Sequence, residues 1–95
     1  MTTTHVRRMQ CGVTVEMTID EEHPQPVVAW TPGPPFSREQ FTQIMAEYIP
    51  WRDDILQAIA KRVGQTILVG TLGGNGSRSF ITVIHPDRPP ERRYV

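Results

Sequence analysis

The stretch that decides the architecture runs from Phe36 to Gly64, FSREQFTQIMAEYIPWRDDILQAIAKRVG. Ser37 stands where an N-cap hydroxyl can accept from the free N–H groups of a first helical turn, and Gln40 completes a capping box. Phe36 and Phe41, on either side of that cap, have the spacing of a hydrophobic staple. Apolar side chains then recur at Phe41, Ile44, Met45 and Tyr48, and again at Ile55, Leu56, Ile59, Ala60 and Val63, the helical period with one buried stripe. Pro50 interrupts that period, because it lacks an N–H and its ring meets the carbonyl of Ala46 in a straight helix. The expectation for residues 38–63 is therefore two helices or one Pro-kinked helix, with the break near Ile49. In the second segment Asp53 and Asp54 occupy a first turn, Lys61 and Arg62 a last turn, and Gly64 the site of a left-handed cap. Both charge signs suit the helix macrodipole.

On either side of this stretch the period changes to alternation. From Arg8 to Ile19, Met9, Cys11, Val13, Val15 and Met17 fall on one face and Gln10, Thr14, Glu16 and Thr18 on the other, as a half-buried strand requires. A polar turn over residues 20–24 leads into a short second strand, Pro26 to Thr31. The segment TPGPP, residues 31–35, cannot pair in a sheet and reads as an extended connector. After Gly64, the runs Thr66 to Leu72 and Ser79 to Ile84 are rich in β-branched residues and flank Gly73, Gly74, Asn75, Gly76 and Ser77, the composition of a hairpin loop.

The order ββααββ predicts an α+β fold: a four-stranded, mainly antiparallel sheet with the helices packed on one face. Residues 1–85 read as a single α+β domain. Residues 86–95 read as a flexible proline- and arginine-rich tail, with too little apolar surface to order itself.

At 95 residues the chain is long enough for one core and no second module. Its hydrophobic content is 38%, with two Trp, two Tyr and three Phe, so the core is modest and dimerisation would help it. Leu68, Leu72, Ile81 and Val83 leave the second hairpin apolar on both faces, which predicts a homodimer. The net charge is zero, yet residues 16–60 carry two basic and eight acidic groups while residues 61–95 carry six basic and two acidic. Part of that asymmetry is absorbed by the macrodipole of the second helical segment. A single Cys11 cannot form an internal disulfide and reads as an inert strand residue. No stretch has the apolar run of a signal peptide or a membrane span, so the expectation is a cytoplasmic protein without a membrane partner.

Chemistry is weakly marked. The glycines at 70, 73, 74 and 76 invite comparison with phosphate-binding loops, but those loops open a helix and carry a lysine, whereas this one precedes a strand. Turn chemistry accounts for it, with anion contact helped by Arg78 as the alternative. His5, His23 and His85 with Asp20, Glu21 and Glu22 lack the spacing of a metal-ligand motif, and His5 lies in a terminus read as disordered. No serine or cysteine has an identifiable oriented base. No catalytic residue, cofactor or metal is therefore expected.

Recognition remains. Trp30 and Trp51 flank the helical stretch and are the residue type most enriched at interface hot spots, although each is also suited to a core. The expected function is a small non-enzymatic protein-interaction module, an accessory or inhibitor subunit of a larger complex, contacting its partner through Trp30, Trp51 and Arg78. The alternative is a nucleic-acid-binding accessory protein using the glycine loop with Arg88, Arg92 and Arg93 of the tail, which would bind weakly and with strong salt dependence.

Overall fold

The computed structural model describes residues 1–73 and 78–94. The capping box forms as read: the Ser37 N–H donates to Gln40 Oε1 and the Gln40 N–H donates to Ser37 Oγ, both at 3.1 Å. Helix α1 spans Arg38–Val63. At its far end Gly64 adopts φ +71°, and the N–H groups of Gly64 and Gln65 both donate to the Ala60 carbonyl, at 2.8 and 3.2 Å. The Ala60 carbonyl, in the last turn where acceptors run out of helical partners, is satisfied there, and the positive φ is the conformation glycine takes without a steric penalty.

Pro50 lies inside one continuous helix, which corrects the expected division near Ile49. The lost hydrogen bond and ring clash cost about 3 kcal/mol. Against that, Ile44, Tyr48 and Ile49 before the proline and Leu56, Ile59 and Ala60 after it are none more than 8% exposed. Each large apolar side chain so buried contributes about 1.5–3 kcal/mol, so the stripe as a whole outweighs the proline.

Strands β1 (Thr2–Arg8), β2 (Thr14–Asp20) and β3 (His23–Thr31) form one antiparallel sheet in that order, and β4 (Ile67–Thr71), β5 (Phe80–Ile84) and β6 (Glu91–Tyr94) form another. The expected single four-stranded sheet with two helices is thus replaced by two separate three-stranded sheets and one helix. Three local causes account for the difference. The alternation from Arg8 to Ile19 is broken at Gly12, whose φ of +93° allows a tight turn in which the Met9 N–H donates to the Val13 carbonyl at 2.7 Å and the Gly12 N–H to the Met9 carbonyl at 2.9 Å. The residues before that turn, read as a disordered terminus, pair along all of β2 from Thr2 opposite Asp20 to Arg8 opposite Thr14. Near the other end, Glu91–Tyr94 of the segment expected to be a flexible tail pairs with β5, Phe80 lying opposite Tyr94 and Val83 opposite Glu91. Neither β1 nor β6 shows an apolar alternation of its own, so only pairing with a central strand accounts for them.

The chain divides into two compact units, Met1–Arg52 and Asp53–Val95, with the boundary inside α1. In the first, Val15, Met17 and Ile19 of β2 are fully buried, together with Ile44 of the helix. Glu47 clasps the turn after β1: its Oε1 accepts from Arg7 Nη2 and its Oε2 from the Gln10 N–H, each at 3.1 Å. In the second unit, Ile67, Val69, Thr82 and Ile84 are each no more than 3% exposed, as is Leu56 of the helix.

Candidate interaction surface on the second sheet

The register of the second sheet sorts its side chains into two faces. Directly opposed residues share a face, so Ile67 and Ile84, Val69 with Thr82 and Arg92, and Thr71 with Phe80 and Tyr94 point one way, while Leu68 with Val83 and Glu91, and Gly70 with Ile81 and Arg93, point the other. The first set contains most of the buried side chains of β4 and β5, and Val83 of the second set is buried as well, 5% exposed. On the second set Leu68 is 56% and Ile81 41% exposed, and a side chain placed on Gly70 would meet nothing within 4 Å. The adjoining Leu72 is 86% exposed.

Around β6 the arginines and aromatics interlock. The Arg92 guanidinium lies 4.3 Å from the centre of the Phe80 ring, Phe80 and Tyr94 are 5.6 Å apart at an interplanar angle of 54°, and Arg78 lies 5.0 Å from the centre of Tyr94. Arg92 and Tyr94 are exposed, whereas Phe80 is buried beneath them. A guanidinium flat on a ring keeps its hydrogen-bonding edge available while its apolar faces are covered.

The strand is tied to the rest of its unit through His85 and Gln57. Gln57 Nε2 donates to the Arg88 carbonyl at 2.6 Å and to that of His85 at 3.4 Å. His85 is buried, with Arg88 Nη2 3.5 Å from its Nδ1 and Glu91 Oε1 3.2 Å from its Nε2. An arginine can only donate, which makes Nδ1 the acceptor and leaves the proton on Nε2 facing Glu91. The carboxylate lies off the direction of that N–H, so the contact is electrostatic and not a formed hydrogen bond. Glu91 also stands 3.6 Å from Arg93 Nη2.

The residues singled out from sequence are thus divided. Arg78 and Arg92 come together on the Phe80–Tyr94 pair, Arg93 pairs with Glu91 on the opposite face, and Arg88 turns back toward His85. Gly73 donates its N–H to Ser79 Oγ at 2.8 Å. Gly74, Asn75, Gly76 and Ser77 lie outside the described residues. Trp30 and Trp51 belong to the first unit and are half-buried against its aromatics. Trp30 stands edge-on to Tyr48 and Phe36 at 5.1 and 6.2 Å, and Trp51 is 6.1 Å from Tyr48. Sequence reasoning missed Phe80, Tyr94, His85 and Glu91, whose roles arise from strand pairing alone.

Two hollows accompany these features. One, in the first unit, is an open groove of about 630 Å³ lined by Arg7, Gln10, Cys11, Gln43, Ala46 and Glu47. Its carboxylate is already engaged by Arg7 and the Gln10 amide. The other, of about 280 Å³, lies in the second unit beside Gln57, Lys61, Asp87, Arg88 and Pro89. Among the described residues no group of three or more His, Cys, Asp and Glu could hold a metal ion, and no helix is long and apolar enough to cross a membrane. No family model matches the chain, and no curated protein or solved structure matches it.

Proposed function

We propose that the chain is a non-enzymatic protein-recognition module that meets its partner through the sheet formed by β4, β5 and β6, in the role of an accessory or inhibitory subunit of a larger complex. One observation carries the reading. A single small sheet leaves Leu68 56% and Ile81 41% exposed on its outer face and gathers Arg78, Arg92, Arg93 and Tyr94 about its last strand. Tyrosine and arginine beside exposed apolar area is the composition of interface hot spots. The outer face would serve a second copy of the chain, since Leu68 and Ile81 have no like-charge conflict across a two-fold axis. The arginine-bearing strand would then remain for a different protein.

A second reading, nucleic-acid binding, is favoured by Arg78, Arg88, Arg92 and Arg93 falling in one unit. The two separate by affinity capture from the source cell, with the native chain, an Ile81→Asp variant and a nuclease-treated sample run in parallel. The expected result is a near-stoichiometric protein that survives nuclease and is retained by the variant, which leaves the arginine-bearing strand in place and whose circular dichroism matches the native chain. Copurifying nucleic acid with no nuclease-resistant protein would replace the first reading with the second.

A further inference from the structure

We propose that β6 is a docking edge for an acidic, extended segment of a partner protein, an inference that rests on the protein-recognition reading above. β6 is the end strand of its sheet: β5 lies along one side, and among the described residues no strand lies along the other. All four of its residues are exposed. An edge of this kind offers a ladder of main-chain groups to an incoming strand, and the side chains flanking the ladder decide what may enter.

Here those side chains are cationic on both faces. Arg92 and Arg93 are consecutive and point to opposite sides of the sheet, Arg92 over Phe80 and Arg93 beside Ile81. A strand added to this edge would carry its own alternating side chains past one arginine on each face. Arg92 is oriented by the ring beneath it, 4.3 Å from its centre, so little rotamer freedom is left to lose on binding. Arg93 meets Glu91 at 3.6 Å, in a pair whose side chains are 70% and 45% exposed, and such a pair exchanges readily for another carboxylate. The strand's one acid is itself paired with Arg93.

Charge also selects among occupants. In a second copy paired antiparallel about Arg92 or about Arg93, that arginine would stand directly across from its own copy, and like charges so placed repel. Single-stranded nucleic acid needs open ring faces on which to stack its bases. Phe80 is only 7% exposed beneath Arg92, and Tyr94 already carries Arg78. What the edge leaves available is guanidinium hydrogen-bonding capacity beside a backbone ladder, which matches carboxylates on an extended peptide.

Fluorescence anisotropy with labelled probes tests this: a short peptide with two consecutive Glu, one for each face of the sheet, between Val and Thr residues, its Lys counterpart, and oligothymidylate. The full chain is expected to bind the acidic peptide about tenfold or more tighter than the basic one, from two ion pairs at opposed positions. Reversing the charges in Arg92→Glu with Arg93→Glu should invert that preference, a change that mere loss of folding does not produce. Arg93→Glu alone, which leaves the Arg92–Phe80 contact untouched, should reduce the preference severalfold. Hydrogen exchange at the β6 amides should slow when the acidic peptide is bound. Equal or absent binding of the two peptides overturns the inference, as does an unchanged preference after charge reversal. A captured protein partner retained by the charge-reversed variant overturns the edge assignment while leaving the recognition reading in place, whereas oligothymidylate as the tightest probe overturns both.

Discussion

The two sheets share strand number and antiparallel order and differ in what they leave at the surface. On the outer face of the first, the register sets Thr4, Thr18 and Val27 in one row and Val6, Glu16 and Ala29 in the next. Val6 and Val27 are exposed there, but each sits beside polar neighbours, and the hydroxyls of Thr4 and Thr18 approach to 3.4 Å. Its edge strand β3 carries Pro24 and Pro26, which remove ladder donors and discourage another chain from pairing. The second sheet has leucine and isoleucine on its outer face and no proline within its strands. Identical topology therefore does not imply equivalent surfaces: the first sheet intersperses its exposed valines with polar residues and carries prolines on one edge, and the second is where we place recognition.

The largest test of that contrast replaces one outer-face residue on each sheet. At micromolar concentration we expect sedimentation equilibrium to give the mass of two chains, for Val27→Asp to leave it unchanged, and for Leu68→Asp with Ile81→Asp to reduce it to one chain. A native mass of one chain would remove the self-association. Core truncation should affect the two sheets alike, because Ile19 of β2 and Ile84 of β5 are both fully buried. Ile19→Ala and Ile84→Ala should each lower stability by about 2–5 kcal/mol in urea denaturation, and a markedly smaller loss at one would mean that its sheet is not well packed.

Pro50→Ala probes the helix near the boundary between the units. In a continuous helix the substitution restores a donor to the Ala46 carbonyl and should raise stability by roughly 1–3 kcal/mol, less the few tenths contributed by greater freedom of the unfolded chain. A loss of stability would show that the helix is built around the proline ring. The backbone offers a finer comparison. Gly12→Ala and Gly64→Ala place a side chain at φ of +93° and +71° and should each cost about 1–2 kcal/mol. Gly70→Ala fills open space on a strand and should shift stability by under about 1 kcal/mol, upward if at all.

How much was legible in the chain follows from the range of the interactions concerned. Ser37, Gln40 and Gly64 make their hydrogen bonds within five residues, so their types and spacing suffice to read the helix ends. The hairpin of β4 and β5 was legible because two β-branched runs bracket a glycine-rich loop. Gly12 was passed over because Met9, Cys11, Val13, Val15 and Met17 keep alternating in sequence through the turn, although Met9 and Val13 remain buried on either side of it. Of the candidate site, the arginines were singled out from their charge, but the rings that orient Arg78 and Arg92 were not. Phe80 and Tyr94 are fourteen residues apart and meet only through the register of β5 and β6.

The amino-acid sequence by itself determined the helix boundaries, the stripe that the helix buries and the turn-forming segments, because caps, periodicity and glycine conformations act over a few residues. Only the tertiary structure decided that Thr2–Arg8 and Glu91–Tyr94 are strands, that the sheets number two, and that Pro50 is carried inside an unbroken helix. Each of those outcomes depends on what a segment is placed against. A polar strand gains its order from a distant partner's backbone, and a proline's cost is weighed against burial along the whole helix.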